Sequence, residues 1–181
     1  MAHAPGPDLR LPAPPRATRP HMPGYGISGP SEGRGLLPWS WAHDRLVASH
    51  DFWLASVRPG GRPHLMPVWG VWDGRALWFS SAHRSRKARN LAASPWCAVS
   101  TDNAYEPVVL EGEAQHVTDP EALRRALDLE NAKYETAYGA EMTDPGHNSW
   151  FELRPEWAFG LDEDDFTGTP TRWTFEMAGH A

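Results

Sequence analysis

A chain of 181 residues fits one domain with a tail, and 40% hydrophobic residues are enough for a real core. A formal net charge of −6 and a pI near 5.8 argue against general nucleic-acid binding, which needs a basic face. No apolar run reaches the ~18 residues of a membrane span, no signal-peptide-like apolar stretch opens the sequence, and the single cysteine, Cys97, cannot form an internal disulfide. The expectation is a cytoplasmic protein without membrane or nucleic-acid partners.

In chain order, residues 1–37 are dense in Pro, Gly and Arg and lack apolar periodicity, so a disordered or extended arm is expected there. Such an arm can also wrap over a partner subunit. The globular part is expected over residues 38–176, with a short tail at 177–181. Residues 39–50 follow Pro38 and read as a short amphipathic helix with Trp41, Leu46 and Val47 facing the core. Residues 52–58 read as a strand, ended by the turn Pro59-Gly60-Gly61. A second strand is expected over 63–72, a hairpin at Asp73-Gly74, and a third strand over 75–81. Together, 52–81 would be a three-strand meander.

A helix follows over 85–93, with Ser85 as its N-cap and Pro95 beyond its end. Strands are expected over 96–101 and 108–117, joined through Asp102-Asn103. Thr118-Asp119-Pro120-Glu121 starts a second helix with a Thr-x-x-Glu capping box, which is expected to run to Tyr138 and stop at Gly139. Strands over 150–153, 157–161 and 171–175 complete the chain. This order lacks the strand–helix alternation of a doubly wound fold and suits an antiparallel closed or split β-barrel with a few helices outside.

The segment Ser85-Arg86-Lys87-Ala88-Arg89-Asn90-Leu91 carries the chemistry. It sets cations at a helix start, where unpaired N–H groups favour an anion and most naturally a phosphate. Arg86 supplies a planar fork and Lys87 a point charge, while Ser85 can offer its hydroxyl and Leu91 anchors the helix. A solvated basic helix face gives the same charges; the order of strand, short loop, serine and helix start favours the anion site. Ser80 and Ser81 end the preceding strand and are close in sequence to this loop.

Pro67 cannot donate to a ladder, so its strand should be interrupted, bulged or at an edge there. Backbone groups left free would suit a planar heterocycle, and an edge facing solvent or a partner is the equal alternative. His64 reads as a polar residue on a half-exposed strand or as a proton donor near neutral pH. Trp69, Trp72 and Trp78 are candidate pocket walls whose sides alternation does not assign. The histidines and Cys97 show no metal-ligand spacing, and residues 162–165 read as a solvated acidic turn. Cys97 reads as an inert core thiol. No side chain is singled out as catalytic, so redox chemistry would come from a cofactor.

The stretch Phe52-Trp-Leu-Ala-Ser-Val-Arg-Pro-Gly-Gly-Arg-Pro-His-Leu-Met-Pro-Val-Trp69 resembles the opening of the pyridoxamine 5′-phosphate oxidase-like family, the split-barrel flavin- and deazaflavin-dependent oxidoreductases. Phe79-Ser-Ser with Ser85-Arg-Lys-Ala-Arg-Asn-Leu91 resembles that family's phosphate-binding segment, and Val108-Val-Leu-Glu-Gly-Glu-Ala114 the strand after it. The resemblance covers roughly residues 40–160. It implies a split barrel, a homodimer with cofactor at the subunit interface, and FMN or deazaflavin (coenzyme F-420) as that cofactor. It implies that Arg86 and Lys87 bind the phosphate, assisted by Ser85. Ser80 and Ser81 would contact the phosphate or ribityl chain. Leu65, Met66, Pro67, Val68 and Trp69 would lie along the ring system, largely through backbone groups. The end of the chain departs from the vitamin B6 oxidases: 171–176 has no Arg-rich stretch. The activity implied is an oxidoreductase acting on a small organic substrate; the alternative is a non-catalytic flavin or deazaflavin carrier or sensor.

Overall fold

The computed structural model describes residues 14–176, so residues 1–13 of the arm and the tail at 177–181 lie outside the described residues. The arm from residue 14 runs along the body of the protein. Its first element, β1 (Arg16–Thr18), pairs antiparallel with the last strand, β9 (Thr171–Thr174). Arg19 then fixes the arm by donating to the carbonyls of Pro170 at 2.7 Å, Gly168 at 2.6 Å and Gly29 at 3.0 Å. The acidic segment expected to be a solvated turn is part of the same clasp. Asp162 is buried and pairs with Arg34 at 2.6 Å, while Asp165 accepts from the Arg34 amide.

Helix α1 (Trp39–Ala48) buries Ala42 and Leu46, while Val47, expected to face the core, is exposed. The barrel follows in β2 (Asp51–Val57), β3 (Pro63–Trp69), β4 (Val71–Trp72) and β5 (Leu77–Ala82), then α2 (Arg86–Ala93), β6 (Trp96–Thr101) and β7 (Val108–Val117). Helix α3 (Pro120–Tyr134) and β8 (Asn148–Gly160) complete it before β9. All pairings are antiparallel, in the order β1-β9-β8-β7-β6-β2-β3, with β5 joining β8 and β4. This is the expected mainly antiparallel split barrel, and the ladder does not close between β3 and β5.

The structure corrects four local expectations. The meander over 52–81 is not one: β3 pairs with β2, but β5 takes β8 as its main partner. The two strands expected at 150–153 and 157–161 are one strand: the register shift at Glu111/Gly112 is a bulge that leaves Glu156 as the extra residue, and the strand runs on past Pro155, which stands opposite Gly112. Helix α3 is capped by Asp119, not Thr118, through the Ala122 amide at 2.8 Å. It ends four residues before Tyr138, where Glu135 turns left-handed at φ 53° and the Asn131 carboxamide takes the Tyr138 amide.

Alternation sorts the sheet faces. Phe52, Leu54, Leu77, Phe79, Val99, Leu110 and Leu153 fill the barrel. Trp78 and Trp150 point the other way, onto Leu123, Ala126 and Leu127 of α3, and form a second small core. Among the described residues no helix is long and apolar enough to cross a membrane.

Candidate functional site

β3 and β5 lie side by side without a ladder between them. The second edge of β3 therefore carries backbone donors and acceptors that no strand uses, and these groups seek partners. The break in the strand falls at Gly70, not at Pro67, which sits within β3 opposite Trp53. An edge strand tolerates that proline, since its missing N–H costs no ladder bond on the open side.

At one end of this slit stands the start of α2. Ser85 caps it by accepting from the Ala88 amide at 3.1 Å, and its hydroxyl is 2.7 Å from that of Ser81. Ser81 pairs across the sheet with Ser149, whose hydroxyl meets His83 Nδ1 at 3.0 Å. Ser80 is on the opposite face of β5 by alternation, so the structure joins Ser81 and Ser85 but not Ser80. Arg86 is exposed and Lys87 half-buried, and neither makes an ion pair among the described residues. Leu91 is buried beneath them, as expected.

The five β3 residues divide between two faces. Met66 and Val68 share the inner face with Leu54 and Phe52, their cross-strand partners, and Val68 is buried while Met66 is 42% exposed. Leu65, Pro67 and Trp69 share the outer face with Ala55, Trp53 and Asp51. Only the backbone edge is common to all five. Of the three candidate wall tryptophans, Trp72 and Trp78 are core residues, and Trp69 alone is exposed. Its ring stacks on Tyr134 of α3 with centroids 4.3 Å apart and planes 6° from parallel.

Sequence reasoning missed Arg58, which closes the turn after β2: its amide donates to the Arg62 carbonyl, and Gly61 sits at φ +78° as the turn demands. It also missed the buried pair in which Asn90 Nδ2 donates to Ser56 Oγ at 3.0 Å. Burial, then the charges of Arg58, Lys87 and Arg86, hold the His64 imidazole below its ordinary range. This disfavours the proton-donor reading near neutral pH. Cys97 is buried, and desolvation pushes its thiol up to about 12, so it is inert as expected. No cluster of three or more metal-ligating side chains occurs among the described residues.

The outer face of β2, β3, β6 and β7 is open and carries an apolar patch, with Ser100, Asp102 and Glu111 beside it. A groove of about 460 Å³ runs across it, lined by Trp53, Ala55, Leu65, Ala98, Pro107 and Val109. Trp53 is 45% and Leu65 57% exposed, which is unusual for residues this large in one patch.

Residues 42–162 match the family model described as pyridoxamine 5′-phosphate oxidase. No curated protein matches the chain. Among solved structures, an F420 reductase is 30% identical, with 62% of this chain and 91% of that chain covered and a TM-score of 0.52. A conserved hypothetical protein of Mycobacterium tuberculosis is 24% identical over 80% of this chain and 94% of that one, with a TM-score of 0.63. General stress protein 26 of Bacillus anthracis is 13% identical over 67% of this chain and 92% of that one, with a TM-score of 0.55. The last two share the fold with this chain.

Proposed function

The chain belongs to the pyridoxamine 5′-phosphate oxidase family, and from that premise we propose that it is an oxidoreductase using a phosphorylated flavin, FMN or deazaflavin, bound in the slit between β3 and β5. One observation carries this reading: an unpaired strand edge ends at a capped helix start whose Arg86 and Lys87 have no carboxylate partner among the described residues. An anionic tail and a flat heterocycle with polar edges fit those two features together.

In this reading Arg86 and Lys87 hold the phosphate, and Ser85 and Ser81 add hydroxyls beside it. Ser80, whose side chain is on the opposite face of β5, meets the ribityl chain only through its backbone. Leu65, Met66, Pro67, Val68 and Trp69 border the ring through the open backbone of β3. Bound there, the cofactor supplies the atom that carries the hydride or electrons. The protein's own part is to fix the tail, orient the ring, keep water out and place donors where negative charge grows. The 171–176 segment has no Arg-rich run, so a small organic substrate other than a vitamin B6 phosphate is favoured.

A second copy of the chain covers the outer groove, which gives a homodimer with the cofactor near the subunit boundary. Complementary apolar surface of this kind is what a stable symmetric dimer buries.

The test is titration of the full chain with FMN and with coenzyme F-420, followed by turnover with candidate acceptors. Binding of one of them, weakened in the Arg86→Ala/Lys87→Ala double variant by about 1–3 kcal/mol, is expected from the loss of two charge-assisted hydrogen bonds. No binding of either cofactor overturns the reading. Tight binding with no turnover replaces the enzyme with a carrier or sensor.

A further inference from the structure

Two polar atoms near the start of α2 are shielded from solvent and have no hydrogen-bond partner among the described residues: Arg58 Nε and His64 Nδ1. Both come from the first hairpin. His64 lies opposite Ser56 in the register of β2 and β3, and Ser56 is the residue that Asn90 of α2 holds. His64 is thus on the hairpin face that α2 covers. The charged groups acting on its ring are Arg58 from the hairpin and Lys87 and Arg86 from α2, with no carboxylate among them. None of these three cations is in an ion pair among the described residues.

Like charges gathered around a histidine, with donors left buried and unpaired, are an arrangement that an anion completes. Helix α2 offers only one side of such a site. The hairpin offers the other. We propose that Arg58 and His64 form the second half of the clamp, that the clamp takes a phosphate monoester, and that His64 gains a proton when the anion binds. This rests on the reading of the slit as the site of a phosphate-bearing cofactor.

The proton balance is simple. In the empty clamp, a fourth positive charge on the imidazole is opposed by Arg58, Arg86 and Lys87. A phosphate dianion offsets two of those three charges and puts negative oxygens against the ring, so the imidazole takes a proton from solvent to become imidazolium. Both ring nitrogens are then donors, and the unpaired Nδ1 gains an acceptor. No bond to the phosphate is made or broken. A ligand with the same ring and no phosphate triggers none of this.

Calorimetry of the full chain with FMN and with riboflavin, in two buffers of different ionisation enthalpy at pH 7, counts the protons taken up. Wild type is expected to take up more protons than His64→Gln with FMN and the same number with riboflavin; the variant also subtracts any proton exchanged by the phosphate itself. Arg58→Gln is expected to lower the FMN-to-riboflavin affinity ratio by roughly tenfold. An arm that needs no variant and no flavin follows the His64 ring proton by NMR. Its titration midpoint should move up when inorganic phosphate is added and stay fixed when chloride is added to the same ionic strength. An unmoved His64 midpoint with phosphate bound, or equal proton counts in wild type and His64→Gln, overturns the proposal. If the FMN-to-riboflavin ratio then still collapses in Arg86→Ala/Lys87→Ala, the hairpin half alone has failed. If it does not collapse there either, the reading of the slit fails with it.

Discussion

The Tyr134 hydroxyl accepts a hydrogen bond from the Gly70 amide at 2.8 Å, at the point where the barrel ladder breaks. The same hydroxyl lies 2.6 Å from the His50 carbonyl, and the Lys133 ammonium donates to the Gly70 carbonyl at 2.6 Å. A helix side chain thus replaces the strand that is missing here. Gly70 is buried, and a Cβ on it would sit 3.0 Å from the Phe52 ring. Helix α3 therefore joins the outer core around Trp78 and Trp150 to the end of the slit, where its Tyr134 lies flat against Trp69 of β3.

Tyr134→Phe keeps the stack on Trp69 and removes the hydroxyl. The buried Gly70 amide is then left without its acceptor, and the expected loss of stability is about 1–3 kcal/mol. Urea unfolding with an unchanged m-value measures it. A variant as stable as wild type shows that water serves Gly70 equally well.

Glu130 gives the fold a pH dependence. Its carboxyl is buried on α3, and desolvation raises it from 4.5 to about 7. Between those values the unfolded chain has released the proton and the folded chain still holds it. The folded state therefore binds more protons there, and stability falls as pH rises from about 4.5 to about 7, by about 1–3 kcal/mol from this group. Glu130→Gln cannot titrate and should flatten that part of the curve. Urea midpoints at pH 5 and pH 8 for both proteins give the difference; equal slopes refute it.

What the sequence made legible is what local chemistry decides. Ser85 caps α2 and Leu91 anchors it, as hydroxyl placement and helical spacing require. Alternation separates Phe79 from Trp78, although not which of them the barrel claims. The unread parts all depend on a distant partner. Three residues of arm, Arg16 to Thr18, become a strand only because β9 has an open edge. Pro155 looks like a strand breaker until Gly112 stands opposite it. Glu135 ends α3 early through Asn131, which anchors the following loop. In the proposed site the helix half, Ser85 with Arg86 and Lys87, is contiguous and visible. Arg58 and His64 join it only through the turn at Gly61 and the packing of α2 on β2.

Beside the β1–β9 ladder and the Arg34 contacts, one side chain ties the arm to the 168–170 loop, and its loss is measurable. Arg19 reaches four carbonyls, those of Gly29, Glu32, Gly168 and Pro170, through two guanidinium nitrogens. Arg19→Ala should leave those acceptors to water and free the segment around Gly29 from the 168–170 loop, at a cost of about 1–3 kcal/mol for hydrogen bonds from a charged donor. Lysine carries the charge without the fork, so Arg19→Lys should restore little. Hydrogen exchange of the Ser28 amide, which donates to the Thr167 carbonyl at 3.0 Å, reports the release directly. Unchanged protection of Ser28 in Arg19→Ala shows that the arm is held elsewhere.

The outer groove makes a prediction that separates assembly from folding. Ala98 is half-buried on the outer face of β6, between Ala55 of β2 and Glu111 of β7. Its side chain points away from the barrel, so Ala98→Glu leaves Val99 and Cys97 in the core undisturbed. The new carboxylate stands beside Glu111, whose own carboxyl is already pushed up by partial burial and held back by Arg172. Two such charges in the middle of an apolar patch oppose its burial against a second copy. Sedimentation at micromolar concentration should give a dimer for wild type and a monomer for Ala98→Glu, with the same circular dichroism. A wild type that sediments as a monomer removes the dimer, and with it the reason for Trp53 and Leu65 to stand open to solvent.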